Sequence, residues 1–456
     1  MGLGRVDVRV EATHVAKLSQ RIEPYPGEVV LDAAGGALLP GLHDHHLHLL
    51  SLAKALDSIP CGPPEVSNEA QLTAQLKRHA ATAADDDGWL RGIGYHEAVA
   101  GDIDRAWLDT VVPDRPLRIQ HRSGRLWMFN SAALARIGAG APPFHPGADL
   151  AGGRFLDADD WLRARLPDQR PPLRLASARL AERGVVGVTD ATPSNGLSDY
   201  RYFAEQHARG HLLQEVLIMG SAELRLAERH DGVAVGPTKI HLHESALPDF
   251  DDLCAAIRLS HGAGRAVAVH CVTVAELVFV ASALAEAGHH PGDRIEHASL
   301  TPPETLSLLA AEGLTVVTQP NFVFERGDQY LVDLAAAEQP WLYGGRRFLT
   351  NGIPLAAGTD APFGHADPWR AMAAAVNRHT RNGACLNPDE ALTAEEALAL
   401  FTGPATRPGA GSRAIHAGAT ADLCLLDRPW RDARADLAAV QVIATLRAGT
   451  LIHSPQ

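Results

Sequence analysis

The chain has 456 residues, of which 46% are hydrophobic and 21% charged, and its 41 Lys and Arg against 54 Asp and Glu give a formal charge of −13. This composition excludes wholesale disorder, collagen-like repeats and coiled coil, and the acidic balance without a basic block argues against nucleic acid or an anionic membrane as partner. The length predicts two or three domains, or one (β/α)8 barrel with additions.

The opening residues MGLGRVDVRV lack an apolar signal core, and Val6 stands where myristoylation needs Ser or Thr, so neither secretion nor lipidation is expected. Residues 1–38 then read as short alternating segments broken by EPYPGE, a β pattern. Next comes PGLHDHHLHLL. Residues 50 to about 180 follow with a different rhythm: an Ala-rich helical stretch from Asn68 that runs into AADDDG, the segment GIGYHEAV, the run RPLRIQHRSGRLWMFN and a Gly/Pro-rich loop. That is too long for one βα connection, so an inserted lid or subdomain is expected.

From GVVGVTDATP onward, apolar β-rich runs alternate with Ala/Leu/Glu helical patterns: LLQEVLIMG, PTKIHLH, GRAVAVHCV, DRIEHASL, GLTVVTQPNF and IPLAAGTDAP. Such alternation predicts βαβ units and a parallel sheet, and the 31 positions from Lys239 to His270 and 27 from His270 to His297 match about one unit each. A closed barrel and an open sheet fit that spacing equally. ATADLCLLD, VQVIATLRAG and TLIHSPQ return to short strands. The longest uncharged part of the most apolar stretch, residues 277–285, is far short of the roughly 20 residues of a spanning helix, so a soluble protein is expected. Cys61, Cys254, Cys271, Cys385 and Cys424 are scattered without a CxxC pair, as reduced cytoplasmic thiols would be.

His46 and His48 are two apart, so in a strand their imidazoles share a face and together can bind one divalent ion. Surface histidines explain a bare HxH as well. His270, His297 and Asp360 stand near the ends of later strand-like runs. A hydrogen-bonded buried histidine, an exposed histidine and a helix N-cap account for them one by one, yet in a barrel the C-terminal strand ends meet at one face and could share a metal.

The ordered set PGLHDHHLH, Lys239, His270, His297 and Asp360 resembles the amidohydrolase superfamily of metal-dependent hydrolases over nearly the whole chain. GWLRGIGYHEA and WMFNSAALARIG are similar to the family-3 subgroup that contains N-substituted formamide deformylase. The resemblance implies an α/β fold: a (β/α)8 TIM-like barrel over 39–404, a small β-sandwich from 1–38 plus 405–456, and an insertion at about 50–180 after the first barrel strand. It implies that a metal-activated hydroxide cleaves the C–N bond of a small-molecule amide, formamide or cyclic amide. His46 and His48 would hold a more buried metal, and His270 and His297 a more exposed one. Asp360 would bind metal and shuttle protons, and Lys239 matches the lysine that many members carbamylate with CO2 to bridge two ions. One or two divalent ions are therefore expected, zinc first because imidazole suits it, with iron, manganese or nickel fitting similar ligands. A homo-oligomer is compatible with the resemblance.

Relatives tend to have Asp-Gly after the lysine strand, where this chain has His243-Glu244. In a regular strand Lys239, His241 and His243 share a face, which makes His241 and His243 candidates for the substrate pocket. His43 and His45 alternate with the ligand pair and should point away. Tyr95, His96, Trp127 and Gln319 are further candidates for substrate contact. A mononuclear heterocycle deaminase is the rival reading, but it calls for a glutamate three residues after His270, where Thr273 stands, and Glu276 lies six on. A non-catalytic scaffold would tend to lose ligands. There is no GxxxxGK[ST] phosphate loop and no GxSxG elbow.

Overall fold

The computed structural model describes residues 4–63, 65–82, 88–158, 161–162, 164–166 and 170–454, so residues 83–87 of the AADDDG run lie outside the described residues. It divides into two compact units, Met1–Leu49 with Leu173–Gln456, and Leu50–Pro172.

The first unit is built on eight parallel strands in chain order: Leu42–Leu47, Val185–Asp190, Glu215–Gly220, Val233–His241, Val267–Cys271, Arg294–His297, Thr315–Thr318 and Leu355–Ala357. Most of their β-branched runs are buried, as strands covered on both faces must be, and Val233–His241 is buried only in part. Backbone bonds from Asp360 N to His46 O and from His48 N to Ala361 O, each 2.8 Å, join the last strand to the first. Gly358 permits that seam, because a Cβ there would stand 2.4 Å from His46 N. The sheet is thus an α/β barrel, and the open-sheet alternative falls away.

Helices follow the strands. Val274–Ala287, for example, begins at a capping box in which Thr273 Oγ1 accepts from Glu276 N and Glu276 accepts from Thr273 N, and it stops at Gly288. At the chain ends a hairpin, Asp7–Glu11 with His14–Ser19, and a four-stranded antiparallel sheet made of Leu38–Pro40, Leu423–Leu426, Val442–Arg447 and Thr450–His453 share one core. Val8, Val10, Val15 and Leu18 of the hairpin pack there with Leu38, Leu423 and Leu446. This is the small β-sandwich.

The second unit has its own six-stranded mixed sheet, ordered Ile59–Pro60, Leu90–Tyr95, Leu117–His121, Leu126–Phe129, Arg154–Leu156 and Ala148–Asp149. Side-chain alternation gives it two different faces. Leu90, Leu117, Ile119 and Met128 join Leu72 and Leu76 of the helix Glu69–Thr82 in one core. Trp127 and Phe129 join Phe155 and Leu162 in another. All five cysteines are free thiols. No helix among the described residues is long and apolar enough to cross a membrane.

Candidate metal centre

His46 and His48 both lie at the C-terminal end of the first barrel strand, and their Nε2 atoms stand 3.5 Å and 3.1 Å from the same oxygen, Asp360 Oδ1. The three ligand atoms lie within 4.8 Å of one another. Atoms about 2.0–2.1 Å from one ion at tetrahedral angles are about 3.4 Å apart, which is the spacing observed.

The opposite ring nitrogen fixes the tautomer of His46 and is compatible with the same tautomer in His48. His46 Nδ1 donates to the Glu296 carboxylate, and His48 Nδ1 is 2.9 Å from Thr192 Oγ1. With Nδ1 protonated, His46 Nε2 presents a lone pair, and His48 Nε2 does so in the tautomer whose Nδ1 donates to Thr192 Oγ1. Asp360 Oδ1 is buried without a hydrogen-bond partner. In those tautomers three electron-pair donors face one point, an arrangement that is unfavourable unless a cation occupies it.

A continuous line of imidazoles extends from this point. Ring centroids are 4.8 Å apart for His46 and His297, 4.4 Å for His297 and His270, 4.3 Å for His270 and His241, and 4.5 Å for His241 and His243. Burial keeps His46 below its usual pKa, and burial with neighbouring imidazoles holds His297 at about 3 and His270 at about 2. These rings are neutral at pH 7, the form that binds metal. Burial alone would raise Asp360, but its contacts with His48, then His46 and His297, outweigh that and hold it below the usual carboxylate range.

Two backbone features aim these groups. His297 has φ 70° and Asp360 has φ 55°, both left-handed, so neither follows the alternation of its strand. Asp44 secures the second: it accepts from Thr359 N at 3.0 Å and from Thr359 Oγ1 at 2.6 Å, and burial pushes it up to about 7. Asp190 anchors the first strand's exit by accepting from Leu49 N and Thr192 N.

Lys239 is buried with Nζ lacking a hydrogen-bond partner, 4.0 Å from Glu296, and burial lowers its pKa. Glu296 itself is wholly buried among His46, Lys239 and Arg294 Nε, and these cations and the imidazole hold it well below the usual range against the effect of burial. Sequence reasoning passed over both Glu296 and Asp44. The signal available for Glu296 was a pair of charges, Arg294 and Glu296, inside an otherwise apolar strand.

The remaining candidates are dispersed. His43 bonds Thr189 Oγ1 at 2.9 Å and packs on His45, away from the ligand pair. Gln319 is fully buried just beyond the seventh strand, with Oε1 unpartnered. Tyr95, His96 and Trp127 belong to the second unit. Tyr95 is a core residue whose hydroxyl donates to Gly101 O at 2.6 Å, His96 caps a helical turn by accepting from Ala98 N, and Trp127 packs beside Phe129.

Comparison with known proteins bears on this site. The model of the amidohydrolase family matches residues 29–453. N-substituted formamide deformylase of Arthrobacter pascens is 27% identical over 495 aligned positions, covering 93% of this chain and 90% of that protein. Two crystal structures share the fold. An uncharacterized metal-dependent hydrolase of Pyrococcus furiosus has TM-score 0.76 at 21% identity, covering 92% of this chain and 94% of that one. Another from Pyrococcus horikoshii has TM-score 0.74 at 20% identity, covering 94% and 90%.

Proposed function

The chain belongs to the amidohydrolase family, and from that premise we propose that it hydrolyses the C–N bond of a small amide, formamide or cyclic amide at a divalent metal centre. His46, His48 and Asp360 would hold the first ion, and His270, His297 and a carbamylated Lys239 would complete the centre. The observation that carries this reading is the convergence of two imidazole lone pairs and an unpartnered carboxylate oxygen on one buried point.

When bound, the ion lowers the pKa of water and polarises the scissile carbonyl, and zinc suits the imidazole-rich donor set. The chain supplies the rest. Glu296 holds His46 in the tautomer that presents Nε2, and Thr192 Oγ1 is placed to accept from His48 Nδ1 in the same tautomer. Asp360, ionised at pH 7, takes the proton of the attacking water on its carboxylate and returns it to the leaving nitrogen, so the amine departs neutral. The lowered pKa of Lys239 raises its neutral fraction, the form that adds CO2.

Glu276 speaks against the deaminase reading. Its carboxylate is spent on capping, accepting from Val272 N at 2.8 Å and Thr273 N at 3.2 Å, and Thr273 at the third position after His270 cannot protonate a ring nitrogen. N-substituted formamides are the first class to test, given the relative from Arthrobacter pascens. Formate and amine released from a panel of formamides, N-acyl amines and cyclic amides, with turnover abolished by a chelator, is the expected result. Ammonia from heterocycles alone would favour the deaminase instead.

A further inference from the structure

The second unit carries a cationic site that the chemistry above does not use. Arg91 and Arg118 are register partners on neighbouring parallel strands, so their side chains leave the same face of the sheet side by side. Trp127 lies between them, its ring centroid 5.4 Å from the Arg91 guanidinium and 5.3 Å from that of Arg118, and Trp89 flanks Arg118 at 5.6 Å. Arg91 is oriented by Ser58 Oγ at 2.6 Å, Lys54 O at 3.3 Å and Gln120 Oε1 at 3.3 Å. Arg118 donates to no described residue, and neither guanidinium forms an ion pair with a described carboxylate, although Asp57 favours the charge of Arg91 through space. The Nε atoms of both arginines are buried and unpartnered.

Two guanidiniums placed together repel, and removing them from water costs more unless an anion repays it. Burial pulls both below their usual range, to about 10, and Arg118 is lowered further by Arg91. Cation–π contacts with indole recover part of that cost, and they explain the tryptophans without explaining why no acid among the described residues pairs with either guanidinium.

We propose that this face of the inserted sheet binds a small organic carboxylate with an apolar or aryl body. The guanidinium forks take the carboxylate, and the indoles of Trp89 and Trp127 pack on the body. Planar, bidentate recognition favours a carboxylate here, and the flanking aromatic surface favours an organic anion over an inorganic one.

Calorimetric titration of the full chain, with its metal as purified, tests the site using sodium benzoate and inorganic phosphate at constant ionic strength. Saturable benzoate binding is expected, with phosphate weaker. Arg118→Met should weaken benzoate by about tenfold or more. Gln120→Glu places an internal carboxylate beside Arg91, so it should abolish the same binding while raising Tm, and it keeps the test decisive if the arginine variant does not fold. Benzoate bound equally by wild type and both variants, absence of saturation in wild type, or phosphate bound more tightly than benzoate would each overturn the proposal.

Discussion

The barrel centre and the arginine-bearing face of the inserted sheet depart from the same rule with opposite signs. In the barrel, electron-pair donors converge on one point: Nε2 of His46 and His48 against Asp360 Oδ1. On the inserted sheet, cations stand together with no ion-pair partner among the described residues: Arg91 beside Arg118, with buried Nε atoms that meet no described acceptor. Buried polar groups in folded proteins are nearly always satisfied, so the sign of what remains unsatisfied gives the charge of the missing partner. The surroundings differ as well. The barrel donors are held on their far sides by Glu296, Thr192 and the Asp44–Thr359 pair, whereas among the described residues Arg118 meets only indole faces. A centre fixed at every donor suits chemistry on a scissile bond, and a looser cationic face suits binding.

The largest effect should come from Asp360→Asn, which keeps the shape of the side chain and removes the proton acceptor. Turnover of a proven substrate should fall by about 10²–10⁴-fold, with Tm within a few degrees of wild type. Turnover at the wild-type rate would remove Asp360 from the proton path. Next is Glu296→Gln, which leaves His46 a weaker orienting partner and uncovers the buried charges of Lys239 and Arg294. Metal affinity, read by competition with a chromophoric chelator, should drop by about 10–100-fold. Unchanged affinity would mean that Glu296 serves only to balance those cations.

Away from both sites the smallest effect is expected. The Arg346 guanidinium, hydrogen-bonded to Glu396, lowers that carboxyl from 4.5 to about 2. A depressed carboxylate stabilises the fold above its unfolded pKa, and the contribution fades as pH falls from about 4.5 toward 2. Glu396→Gln should therefore lower Tm slightly at pH 7 and not at pH 2, a modest shift because the pair is partly exposed. An equal shift at both values would show that packing, not charge, carries the pair.

The two regions were not equally legible in the sequence. His46 and His48 could be read from strand periodicity, which holds for this pair although the first barrel strand shifts register against the second between Asp44 and Leu47. His270 and Asp360 could be placed at strand ends because βα alternation fixes where a strand must stop. Glu296 could not, because alternation sends only one of two neighbours inward, and His297 escapes that rule through its left-handed backbone. Asp44 stood inside the recognised HDHH run, but its role depends on the seam with Thr359, a contact across 315 residues. The pairing of Arg91 with Arg118 rests on a strand register across 27 residues that neither segment encodes alone. Periodicity conveys which face a side chain takes, whereas which faces meet is settled by tertiary packing.

Metal content measured on purified protein by plasma mass spectrometry, for wild type and for a His46→Ala, His48→Ala double variant, bears most directly on the barrel centre. Wild type should carry about one or two divalent ions per chain, and the double variant should lose at least the ion held by these rings while remaining folded. A catalytically active wild type without stoichiometric metal, or a double variant that keeps the full complement, would contradict the assignment of that centre.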